Sequence, residues 1–266
     1  MRVRVTGLFA AAALAVAGAA LHTPAQRKAT PRQPEQTAPK KVTSRPEDQG
    51  KTGGSSSSSN ATTNAAAPAK EDPNVAHYVY EFRQPDFFVY FVHIEHDDRG
   101  RGSIRFERRS DTEQLTDPLE ISPAAMERIR AHYAALKFLD STENYQGPRT
   151  YPNQGDTKLS LRQGGRGRTA EFNYSQNQEA QALADEYRRV SEQALFVFDI
   201  NVALESQPLE TPKLINRLES LINSNFLSDN RQLVPLLRQL SEDERVPLVG
   251  RNQAARILKK LEKQSQ

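Results

Sequence analysis

The chain has 266 residues, no cysteine, 36% hydrophobic residues, and 36 Lys and Arg against 33 Asp and Glu. Without cysteine there is no thiolate nucleophile, no thiolate metal site and no disulfide framework, so an ordinary core must hold the fold. The positive excess is local. Residues 1–73 hold 10 basic and 5 acidic side chains, leaving 26 and 28 for residues 74–266. The folded part is therefore nearly neutral, and the basic pI does not imply a nucleic-acid partner.

Residues 1–25 have the three-part layout of a secretory signal peptide: Arg2 and Arg4, an uncharged Ala/Leu/Val run from Val5 to Leu21, then small residues. The run is at the short limit of the roughly 17–25 residues that span a bilayer, and its alanines make it weakly apolar. A cleaved leader and an extracytoplasmic location, periplasmic or secreted, are expected. The alternative is an N-terminal anchor. Otherwise the protein is not expected to be an integral membrane protein. Residues 26–73 turn to Pro, Ser, Thr, Gln and Lys, with "GGSSSSSN" at their centre. So little apolar surface cannot offset the entropy of ordering, and a disordered linker is expected.

Residues 74–193 are expected to form an α+β domain, an antiparallel sheet with helices on one face. "VAHYVYEFR" (75–83) alternates as a strand with an aromatic face, Tyr78, Tyr80 and Phe82. "FFVYFVHIEH" (87–96) starts apolar on both faces, as a central strand does. "DDRGRG" is turn chemistry, and "SIRFERR" (103–109) returns with Ile104, Phe106 and Arg108 on one side. Ser122-Pro123 signals a helix start, with Met126, Ile129, Tyr133 and Leu136 as its apolar stripe. A second hairpin joins 157–162 to 168–174. A second helix follows from Asn177, with Ala180, Leu183, Tyr187 and Val190 facing inward. "RGRGSIRF" (99–106) and "GRGRTAEF" (165–172) hint at an internal duplication.

Residues 194–266 are expected to be helical. "ALFVFDINVALE" (194–205) alternates like a strand, yet no Gly or Pro interrupts the chain between Asn177 and Gln207, which favours one long helix. The stretch "LVPLLRQLSEDERVPLVGRNQAARILKKL" is similar to a HEAT-type helical hairpin, with Pro235 in its first helix and Asp243 after it. It departs from that pattern where "VPLVGR" separates Val246 from Arg251. Residues 75–193 resemble the uncharacterised hairpin–helix domains of exported bacterial proteins, a resemblance that implies no catalytic residue.

For chemistry, "FVHIEHDDRGRG" (91–102) is the densest stretch. A metal-dependent hydrolase would need His93, Glu95 and His96 to converge with a residue of another strand. On a strand, however, His93 and Glu95 share one face and His96 takes the other. A hairpin tip with solvated charges, not a metal site, is expected. Arg99, Arg101, Arg166 and Arg168 would form an anion site only if the two hairpins lay side by side. The carboxylate pairs Asp185–Glu186 and Glu242–Glu244 lie among arginines and read as solvated faces. No nucleophile elbow and no phosphate-binding loop occurs. The expectation is a non-catalytic binding or scaffolding module of the cell envelope. It should carry no cofactor, and its partner should be another protein or a wall polymer.

Overall fold

A computed structural model describes residues 75–263; the expected leader and linker lie outside the described residues. Alternation fixes the sheet first. β1 (His77–Arg83), β2 (Val89–Asp97), β3 (Arg101–Arg108) and β4 (Leu115–Glu120) form an antiparallel meander. The helix α1 (Pro123–Ala135) and a loop lead to the hairpin β5 (Asp156–Gln163) and β6 (Arg166–Phe172). β5 pairs with β1, which gives a six-stranded sheet in the order β4-β3-β2-β1-β5-β6. β2 lies in the interior, as its two-sided apolarity predicts.

The helix starts follow their caps. Ser122 accepts a hydrogen bond at its Oγ from the Ala125 N–H at 3.2 Å, with Pro123 in the first turn of α1. Asn177 Oδ1 accepts from the Glu179 and Ala180 N–H groups at the head of α2 (Gln178–Ser206). Such caps satisfy donors that the helix itself cannot. Both helices cover one face of the sheet. Tyr78, Tyr80, Ile94, Ile104, Phe106 and Leu159 of the strands bury themselves against Met126, Ile129, Tyr133, Leu183 and Tyr187.

Residues 194–205 are helical and belong to α2, so the boundary drawn at 193/194 falls inside one helix. The burial has a helical period: Leu195, Phe196, Ile200, Ala203 and Leu204 are buried, while Val202, which a strand would put on the same face as Ile200, is exposed. This second half of α2 packs with α3 (Thr211–Asn223), α4 (Val234–Glu242) and α5 (Leu248–Lys263) around Ile215, Leu218, Leu237, Leu240 and Ile257. α4 and α5 form a helical hairpin, and the glycine that departs from the HEAT pattern has a local role. A Cβ on Gly250 would stand 3.1 Å from Val246 and 3.3 Å from Pro212, so its absence lets α5 approach α3 closely.

One strand has no counterpart in the sequence reading, and one expectation needs correction. Asp117 and Pro118 interrupt the alternation of β4; a proline in a sheet belongs on an edge strand, and β4 is one. Glu186 is not solvated but fully buried. Its carboxylate accepts from Arg128 at 2.8 and 3.1 Å, from Arg189 at 2.6 Å and from the Ser228 hydroxyl at 2.5 Å. Arg128 is 58 positions away in sequence, on α1, beyond the reach of any local pattern.

The β2–β3 turn is sterically exact. Gly102 pairs with His96, and a Cβ there would lie 1.8 Å from the Glu95 carbonyl oxygen. Gly102→Ala is expected to cost about 3 kcal/mol or more in urea denaturation, because the backbone must part to admit the methyl. Gly164→Ala, with φ at +59° but nothing within 4 Å, is expected to cost only the roughly 1–2 kcal/mol of a left-handed residue.

Candidate functional site

Strand alternation divides the histidines as the sequence predicts. His93 and Glu95 stand on the sheet face that the helices leave open, and His96 points into the helix-covered face. On the open face, register brings in side chains from three neighbouring strands. Glu81 of β1 and Arg105 of β3 flank His93 directly. His93 Nε2 lies 2.6 Å from Glu95 Oε1, and its Nδ1 lies 3.4 Å from Glu81 Oε2. Glu95 Oε1 also accepts from Arg105 at 2.7 Å, while its Oε2 is 4.0 Å from His77 Nε2. Arg162 of β5 closes the row, its Nη2 3.3 Å from His77 Nδ1.

The electrostatics follow from that chain of contacts. Burial alone would raise the Glu95 pKa, but the His93 hydrogen bond and the charges of His93, Arg105 and His77 outweigh it and hold the carboxyl below its ordinary value. Both ring nitrogens of His93 face carboxylates, so no hydroxyl is placed to be activated by it. Among the described residues, no three His, Asp or Glu side chains are grouped to hold a metal ion. His93, Glu95 and His96 therefore do not converge.

His96 corrects the expectation of a solvated strand end. It is 2% exposed, stacked on Tyr78 with ring centroids 4.9 Å apart. Its Nδ1 is 2.8 Å from the Asp97 carbonyl oxygen, which can only accept, so Nδ1 carries the proton. Nε2 is then the acceptor for the Tyr187 hydroxyl at 2.9 Å. Tyr187 in turn stacks on Tyr80 at 4.8 Å. A neutral imidazole is thus built into the aromatic core. Phe91 shares the open face with His93 and is buried there under the Arg83 guanidinium at 4.5 Å.

The four arginines do not gather. Both tips lie at the same end of the sheet, but β1 and β2 separate β3 from β5. Asp97 Oδ1 accepts from the Arg99 and Arg101 backbone N–H groups and so shapes the turn. Arg166 pairs with Asp140 at 2.5 Å. Arg168 lies over the Phe138 and Tyr145 rings at 4.7 and 4.9 Å and donates to the Phe138 carbonyl and the Tyr145 hydroxyl. It ties the loop after α1 to the edge strand β6.

Sequence reasoning missed His77, Glu81 and Arg105, because only strand register puts them beside His93. A pairing of 75–83 with 87–96 about the Pro85-Asp86 turn would have been the usable signal. No protein-family model matches this sequence, and no curated protein does.

The buried histidine makes stability pH-dependent. Burial lowers the His96 pKa from 6.5 to about 4, against the opposing Asp97 carbonyl bond and Asp97 charge. The unfolded chain thus takes up the proton first as pH falls. The stabilisation is complete above about pH 6.5 and is lost as pH drops towards 4, by about 3 kcal/mol. Urea denaturation at pH 7 and at pH 4.5 measures this. His96→Gln is expected to remove most of the difference, and an equal loss in both proteins would contradict the assignment.

Proposed function

We propose that this is an exported, non-catalytic binding module of the cell envelope, whose open sheet face meets a protein or wall-polymer partner. The signal-like leader and the polar linker support export. The observation that carries the binding reading is the interlocked open face: Glu81, His93, Glu95 and Arg105 hold one another in place across three strands. Side chains already fixed by mutual bonds lose little freedom when a partner arrives, so such a face binds at low entropic cost. Its charge is mixed, with Arg83, Arg105, Lys158 and Arg162 set among Glu81, Glu95, Glu107 and Glu171. That suits a partner bearing hydroxyls, amides and both charges, and it does not suit a polyanion. Among the described residues no helix is long and apolar enough to cross a membrane.

The test uses two arms, co-sedimentation with purified wall polymer and crosslinking to envelope proteins. Glu95→Gln is expected to reduce binding in one arm. As a half-exposed pair it should change stability by no more than about 1 kcal/mol. Binding unaffected by Glu95→Gln, or a hydrolytic activity and stoichiometric zinc that both disappear with it, would overturn the reading.

A further inference from the structure

At the opposite end of the sheet from His96, a cleft of about 860 Å³ opens between the β1–β2 turn and α2. Its floor is made of core side chains: Tyr80, Val92 and Leu195, all below 5% exposed. Tyr80 is held flat by its stack on Tyr187, so the floor is rigid. One face of α2 forms a wall through Gln181, Arg188 and Glu192. The mouth is unusual. Phe87, Phe88 and Phe226 are 44%, 59% and 57% exposed, and they are the exposed phenylalanines among the described residues. They come from two separate segments, the β1–β2 turn and the loop after α3, and all three rim this cleft. Large apolar side chains gathered around one opening mark a binding surface, whereas scattered ones do not.

The charges narrow the ligand. Arg188 pairs with Asp185 at 2.9 Å, Arg217 with Glu192 at 3.2 Å, and Asp86 lies 3.6 Å from Arg109. The ionic groups around the cleft thus neutralise one another and offer no net charge to an ionic ligand. The volume lies within the roughly 300–1,000 Å³ of small-molecule sites. A floor that is apolar but for the Tyr80 hydroxyl, which Arg188 engages, an aromatic mouth and self-paired charges fit an uncharged apolar chain that enters end-on and leaves its polar end at the rim. We infer that this cleft binds the acyl chain of a lipid. The site is separate from the open sheet face, and its test is independent of the binding proposed there.

The experiment titrates the full-length mature protein with the neutral fluorophore N-phenyl-1-naphthylamine, then competes it with monolaurin. Saturable one-to-one binding, displaced by monolaurin, is expected. Gln181→Trp, on the exposed wall of α2, should plug the cleft and abolish binding with circular dichroism unchanged. Phe226→Ala should weaken binding about tenfold, the value of one apolar ring. Absence of saturable binding, or binding indifferent to both variants, would overturn the site. Fluorophore binding that monolaurin fails to displace would overturn the acyl-chain assignment.

Discussion

The rest of the structure depends on one buried carboxylate. Glu186 has no contact with solvent, and an ionised carboxylate can stay in such a place only if every lone pair is answered. The answers come from three directions: Arg128 on α1, Arg189 one turn along α2, and Ser228 in the segment between α3 and α4. Arg128 also donates to the Ser228 carbonyl at 2.7 Å, so the same guanidinium binds both sides of the seam. Burial would raise the Glu186 pKa, but the bonds from Arg128, Arg189 and Ser228 prevail and keep it below the ordinary value. The helical region is thereby fixed against the sheet domain. Gln232 donates to the Glu120 carbonyl at 2.7 Å, and Arg108 of β3 meets Asp199 of α2 at 2.6 Å, extending the seam at either side. The cleft shares the dependence, since Phe226 stands two residues before Ser228.

α2 makes this arrangement economical. Its first half packs on the sheet through Leu183, Tyr187 and Val190, and its second half packs in the helical core through Phe196, Ile200 and Leu204. One continuous helix serves two cores, so no flexible joint separates them, and both lie within a single compact unit. The proposed binding surfaces are two of those this architecture leaves: the open face of the sheet, and the cleft where the sheet's other end meets α2.

Much of the fold was legible because its signals are local. Ser122-Pro123 and Asn177 announce helix starts, and Tyr78-x-Tyr80-x-Phe82 announces a half-buried strand. The alternation rule alone separated His93 from His96. Non-local facts were not legible. Phe87 and Phe88 continue the apolar run of β2 but sit in the turn before it, where neither face of the sheet claims them. Asp185 and Glu186 are adjacent and chemically alike, yet only Glu186 points at Arg128. That difference is a matter of helix phase and of a partner on another element. The open-face network is likewise a product of register across three strands, which no single segment encodes.

The central claim is that the Glu186 carboxylate locks the helical region and the sheet domain into one cooperative structure. Differential scanning calorimetry of the protein at pH 7 tests it most directly. The account predicts one transition for the wild type, with calorimetric and van't Hoff enthalpies equal. For Glu186→Ala it predicts a transition that moves to lower temperature or splits in two. Two independent transitions in the wild type, or an unchanged single transition in Glu186→Ala, would contradict it.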